Sequence, residues 1–237
     1  MNDRVKVGCC GFPMARRRYF ERFPLVEVQQ TFYRPPRPET LARWRREAPP
    51  EFEFTLKAWQ LITHPPSSPT YRRLGKAIPP EARDRYGYFR PTEAVRQALE
   101  TTLDCARRLA ARVIVFQCPA SFTPTETHID HLRTFFRQAR LRQQGFQGAW
   151  EPRGDWPRPT VEALCRELDL WPVVDPFAQA PFPDFPRYFR LHGRTGYRYR
   201  YTDEDLHRLR TWCTAGTYCL FNNMTMAEDA QRFMALI

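Results

Sequence analysis

Lysine is nearly missing. Of 37 basic residues only Lys6, Lys57 and Lys76 are lysine, so arginine carries almost all of the positive charge. Glycine is sparse as well, 10 residues against 23 prolines; stiffened loops of this kind suit an Arg-rich genome and a heat-adapted host. No apolar run comes near the roughly 18 residues that a membrane span needs, and Val113 to Phe116 is among the longest. The opening MNDRVKVGCCG has no apolar signal region, which predicts a cytoplasmic protein without membrane contact. The seven cysteines are odd in number and form no C-x-x-C pair, and Cys105, Cys165 and Cys219 lie in apolar segments. That pattern gives neither a disulfide framework nor a zinc knuckle, and predicts reduced thiols that pack as small hydrophobes.

What is present is enough for a sizeable core. The 237 residues are 42% hydrophobic and 14% aromatic, with a net charge of +11, the size of one large domain. Short β-rich segments alternate with segments of helical period from end to end. The predicted strands are Val5–Cys10, Leu25–Thr31, Phe52–Ala58, Arg112–Cys118, Gly148–Arg153, Leu170–Asp175, Tyr188–His192 and Thr217–Asn222. Helices are predicted over Pro38–Ala48, Thr92–Ala111, Glu126–Gln143, Pro159–Leu168, Asp203–Thr214 and Met226–Leu236, and Thr202-x-x-Asp205 and Thr225-x-x-Glu228 read as capping boxes. Eight strand-then-helix units predict a single-domain α/β fold of the TIM-type (β/α)8 barrel. Its sixth crossover is irregular, because PFAQAPFPDFP is too rich in proline for a full helix. The long break from Gln60 to Pro91 follows the third strand and would overhang the C-terminal mouth as a lid or binding loop.

Strand residues alternate faces, so each strand splits into an apolar and a polar column. Helices cover the outside of such a barrel, which sends the polar column to the axis. That column holds Lys6, Lys57, Arg153 and Arg190 against Glu27, Glu53, Glu151 and Asp175, a balance that buried charge requires. Lys57, Gln117, Glu151, Arg153, Asp175, Arg190, His192 and Asn222 fall at strand ends, where barrel active sites lie.

The segments VGCCGFP, VEVQQTFYRPPRPETLARWRREAP, FTLKAWQLITHPPSSPTYRR, VIVFQCPASF, WEPRGDW, VVDPF, YFRLHG and FNN resemble, in order, the motifs of the domain-of-unknown-function 72 family. The resemblance covers essentially the whole chain. It implies a TIM-barrel-like fold and a cluster of shared polar residues at the mouth: Lys57, Gln117, Glu151, Arg153, Asp175, Arg190, His192 and Asn222. Cys9-Cys10 stands where many members carry Thr-Ser or Thr-Cys. The family has no established activity, so the reaction has to be read from the residues.

Three chemistries fit them. In the favoured one, a small anionic substrate such as a phosphorylated or carboxylated sugar is held by Lys57, Arg153 and Arg190. Glu151, Asp175, His192 and Lys57 then form the catalytic set, and Gln117 and Asn222 orient hydroxyls. Tyr33, His64, Arg194 and Tyr201, on the mouth loops, complete the expected substrate contacts, and no cofactor is expected. Lys57 could equally be a plain ion-pair partner of Glu53 or Glu151. The second reading is a nucleic-acid-directed, metal-assisted hydrolase or a nucleic-acid-binding protein. Its divalent metal would sit on Glu151, Asp175 and His192, and Tyr197, Tyr199 and Tyr201 interleaved with Arg194, Arg198 and Arg200 would stack and neutralise the strand. The third is a ligand-binding barrel without catalysis. No oligomeric state is implied.

Overall fold

Eight parallel strands hydrogen-bond in sequence order, and the eighth returns to the first, closing a barrel. The computed structural model describes residues 4–75 and 77–237, so Lys76 lies outside the described residues. The strands are β1 (Lys6–Cys10), β2 (Leu25–Val28), β3 (Glu53–Lys57), β4 (Val113–Gln117), β5 (Gln147–Glu151), β6 (Leu170–Val174), β7 (Tyr188–Leu191) and β8 (Tyr218–Phe221). The helices are α1 (Arg16–Phe20), α2 (Gln30–Tyr33), α3 (Pro38–Glu47), α4 (Gln60–Thr63), α5 (Glu93–Leu109), α6 (Glu126–Ala139), α7 (Arg158–Glu167), α8 (Asp203–Trp212) and α9 (Met226–Met234). The fold is the expected TIM-type barrel. No described helix is long and apolar enough to cross a membrane.

The two columns separate as alternation dictates. Val26, Val28, Phe54, Leu56, Phe116, Trp150, Phe189 and Phe221 join the large apolar cluster with the helices, while Leu25, Val113, Val115, Ala149, Val173 and Leu220 form a smaller one inside the barrel. The helices dock because their apolar positions recur on one stripe. In α5, Val95, Ala98, Leu99, Thr102, Leu103, Ala106 and Leu109 are buried, Thr92 caps the start through Val95 N–H at 3.3 Å, and left-handed Ala110 ends the helix.

Several boundaries differ from the sequence reading for identifiable reasons. The second strand stops at Val28, and the chain then turns into α2; the Thr31 hydroxyl donates to the carbonyls of Val28 and Lys57, which holds that turn to β3. Arg140 adopts φ 45°, which ends α6 short of Gln143 and starts a separate 3-10 turn over Leu141–Gln144. The Thr202–Asp205 capping box forms, but Thr225 makes none. Its hydroxyl donates instead to Asp229, and Glu228 pairs with Arg200. The sixth crossover is irregular, as proline content predicted. Arg158 braces it by donating to the carbonyls of Ala180 and Pro181 and covering the Phe182 ring at 3.9 Å.

The excursion from Gln60 to Pro91 is not structureless. It contains α4 and 3-10 turns at Pro69–Arg73 and Pro80–Arg85, and its far end is pinned back: Gly87, Phe89 and Tyr88 donate N–H to the carbonyls of Leu61, Ile62 and Thr63. Residues 87 to 89 all have positive φ, and a Cβ on Gly87 would lie 2.4 Å from the His64 carbonyl oxygen. Glycine is therefore required there by conformation and by space.

Candidate active site

The barrel axis carries two polar groups at different depths. At the N-terminal floor, Lys6 donates to Glu53 at 2.6 Å and lies over the Tyr218 ring, and the Tyr218 hydroxyl also donates to Glu53. Higher up, Arg190 is the centre. It is 1% exposed and lies between the carboxylates of Glu27, at 2.9 Å, and Glu151. Tyr188 donates to Glu27 at 2.8 Å and shares a 2.9 Å hydrogen bond with Thr55. This ionic clamp follows from the register, which places Glu27 level with Thr55, two residues before Lys57 on the same face of β3.

At the mouth, Glu151 collects donors from several strands. Gln117 donates at 3.0 Å, Arg153 Nε at 2.9 Å, and His192 Nε2 lies 3.3 Å away. Burial alone would raise this carboxyl, but Arg190, the His192 hydrogen bond and Arg153 outweigh it and hold the group well below the usual range. The Arg153 guanidinium also lies 2.7 Å from His192 Nε2, while the Asn222 amide nitrogen donates to Nδ1 at 3.0 Å. With the amide nitrogen of Asn222 donating to Nδ1, the ring proton sits on Nε2, where it faces Glu151. Asp175 accepts the backbone N–H groups of Phe177 and His192. Burial raises its pKa.

Lys57 is the exception in this network. It is 5% exposed, its Nζ lies 3.5 Å from the centroid of the Phe32 ring, and among the described residues no carboxylate comes within 4.0 Å. Neither expected ion-pair partner is free for it: Glu53 is taken by Lys6 and Glu151 by the two arginines. Burial, followed by the Arg190 charge, lowers the amine from its usual 10.5 to about 7. Two carboxylates, Glu27 and Glu151, already face two guanidinium groups, Arg190 and Arg153, so a third positive charge would stand without a counter-ion.

The structure thus brings together Lys57, Gln117, Glu151, Arg153, Arg190, His192 and Asn222, with Asp175 behind His192. The remaining sequence candidates divide. His64 is buried edge-on to Phe32 at 4.9 Å, its Nδ1 is 2.8 Å from the Thr63 hydroxyl, and burial and the Lys57 charge depress its pKa to about 3. Tyr33 lies at the rim under the Arg73 guanidinium. Arg194 pairs with Asp205, and the buried Tyr201 hydroxyl accepts the Gly193 N–H, so both brace the loop after β7. Tyr199 also bonds Asp205, leaving Tyr197 as the exposed ring of the Tyr/Arg stretch. Phe32 was absent from the sequence candidates, because only the turn after β2 brings its ring beneath Lys57.

The metal alternative does not fit the residues. No cluster of three His, Cys, Asp or Glu suited to an ion occurs among the described residues. Of the three named, Glu151 is occupied by guanidinium groups and Asp175 by backbone N–H groups. The thiols of Cys9, Cys10 and Cys118 are buried; burial pushes Cys9 up to about 12 and raises the other two, which leaves them inert as nucleophiles.

No protein of curated function matches the sequence. Among solved structures, a DUF72 family protein from Enterococcus faecalis V583 superposes with TM-score 0.73 at 20% identity, covering 98% of this chain and 96% of that one. A DUF72 family protein from Thermotoga maritima MSB8 gives TM-score 0.65 at 21% identity over 98% of each chain. A D-psicose 3-epimerase crystallised in the presence of D-fructose gives 0.60 at 12% identity, again over 98% of each. The family described as "Protein of unknown function DUF72" matches residues 14–237. The chain therefore belongs to the DUF72 family, with the polar mouth of its barrel built around an unpaired lysine.

Proposed function

We propose that the protein is an enzyme performing acid/base chemistry on a small anionic, sugar-like substrate at the C-terminal mouth, with Lys57 as the base. One observation carries this reading: a buried amine at a strand end, over an aromatic ring and with no carboxylate within 4.0 Å among the described residues, in a barrel where Lys6, Arg153 and Arg190 each pair with one. An amine poised near neutrality is suited to take a proton at physiological pH. The structural likeness to a sugar epimerase supports a sugar as substrate class.

The step that fits these residues is proton abstraction next to a carbonyl. The Lys57 Nζ lone pair takes the proton, the electrons of the C–H bond form a C=C bond, and the carbonyl oxygen gains the charge. Arg153 stabilises that oxygen and the Nε2 proton of His192 can neutralise it, while return of the proton to carbon completes an isomerisation or epimerisation. Glu151 stays ionised and holds Arg153 and His192 in place. Asp175 positions His192 through its backbone, and Arg190 acts through Glu151 rather than on the substrate.

Carbon-bound hydrogen exchange in D2O tests this whatever the product is. Sugar phosphates and sugar acids incubated with the enzyme are expected to incorporate deuterium at the carbon next to the carbonyl, and Lys57→Met to abolish the incorporation. Absence of exchange across aldose and ketose phosphates and uronic acids would overturn the reading. Within the Tyr/Arg loop a nucleic-acid partner would have to rely on Tyr197 and Arg198, since Arg194 and Arg200 are held by carboxylates.

A further inference from the structure

Arg190 is closed off between Glu27 and Glu151, and Arg153 is committed to Glu151 and the reacting oxygen, so a distal anionic group of such a substrate needs other cations. The rim supplies Arg34 and Arg73. A rim cleft of about 300 Å3 opens between α2 and the 3-10 turn Pro69–Arg73, lined by Gln29, Gln30, Tyr33, Arg34 and Arg73. The Arg73 guanidinium lies 3.7 Å from the centroid of the Tyr33 ring, which fixes its plane and leaves its edge N–H groups free. Arg34 runs beneath Gly75, where a Cβ would lie 3.2 Å from its terminal nitrogen, so the turn of the loop holds it in place. The buried Gln60 amide donates to the Tyr33 carbonyl at 2.9 Å and anchors the platform from below. Among the described residues neither Arg34 nor Arg73 has a carboxylate within 4.0 Å, whereas Arg153, Arg190, Arg194 and Arg200 do.

The cleft also adjoins the reacting centre. Tyr33 meets Phe32 edge-on at 5.0 Å, and Lys57 stands over Phe32. On the other side, the Gln29 amide donates to Glu27, the carboxylate that grips Arg190. A ligand with its charge in the cleft therefore extends along the Phe32 side toward Lys57.

Resting on the acid/base reading above, we infer that Arg34 and Arg73, with the amides of Gln29 and Gln30, form the subsite for a phosphate monoester on the substrate's distal end. Two guanidinium forks with amide donors match the charge and the oxygens of a phosphate monoester better than a single carboxylate. The substrate class narrows accordingly to sugar phosphates.

Titration of the intact protein with inorganic phosphate, followed by 31P NMR at constant ionic strength, tests the subsite independently of turnover. Arg73→Gln and Arg34→Gln are each expected to weaken phosphate binding about tenfold, the loss of about 1.4 kcal/mol. Tyr33→Leu should weaken it several-fold by freeing Arg73, and acetate should compete poorly. Arg198→Gln, which removes another exposed arginine from a different loop, should leave the titration unchanged. Equal weakening by Arg198→Gln, or wild-type affinity in both rim variants, would mean that a diffuse positive surface binds the ion and would overturn the inference. Phosphate binding at the rim without deuterium exchange would retain the subsite and remove the acid/base function. Exchange confined to neutral sugars or uronic acids would do the reverse.

Discussion

Two lysines stand on one barrel axis in opposite circumstances. Lys6, at the floor, is partly open to water and paired with Glu53 at 2.6 Å. Lys57, at the mouth, is almost fully buried and faces a ring instead of a carboxylate. Both lie over aromatic faces, Tyr218 and Phe32, so the ring does not distinguish them; the counter-ion does. A structural lysine is satisfied where it is least buried, whereas this one remains unsatisfied where desolvation costs most. Such an arrangement persists when the amine is needed neutral.

The sharpest way to break the comparison is to remove each amine in turn. Lys57→Met is expected to lower deuterium exchange by roughly 10²- to 10⁴-fold, the usual contribution of a general base, whereas Lys6→Met should leave the rate within a factor of about two; equal losses would end the distinction. Next comes the clamp beneath the mouth. Glu27→Gln strands the Arg190 guanidinium between one remaining carboxylate and a neutral amide, and urea unfolding should show a loss of about 3–5 kcal/mol.

The pH dependence of stability tests the amine itself. In the unfolded chain Lys57 keeps its proton up to about 10.4; in the fold it does so only up to about 7. Between those values the unfolded state binds more protons, so stability rises with pH. Relative to Lys57→Met, the wild-type protein should gain about 3–4 kcal/mol between pH 7 and 10, at 1.36 kcal/mol per unit. A flat difference would show that the amine is charged in the fold. The smallest effect is expected at the floor, where Glu53→Gln deprives Lys6 of its partner. Because Lys6 can turn to water, the cost should be about 1–2 kcal/mol in the same unfolding assay.

Much of the mouth was legible in the chain. Alternation within short strands identified Glu27, Glu53, Glu151, Arg190 and His192 as one inward column, because a side chain's face depends only on its parity along the strand. Pairing across the barrel was not legible in the same way. Glu53 and Glu151 were equal candidates for Lys57 until the register placed Glu53 beside Lys6 and Glu151 beside two arginines. The Tyr/Arg loop had the composition of a stacking surface, yet Tyr201 is buried and Tyr199 is bonded to Asp205, contacts that join residues from separate elements.

By itself the sequence determined the alternation of strands and helices, and with it a closed barrel whose ionisable groups face inward. Those outcomes depend on local periodicity, which neighbouring residues set among themselves. Only the tertiary structure decided which charges cancel, because that depends on distances between strands far apart in the chain. Lys57, Arg34 and Arg73 stand out because, among the described residues, folding places no carboxylate within 4.0 Å of them.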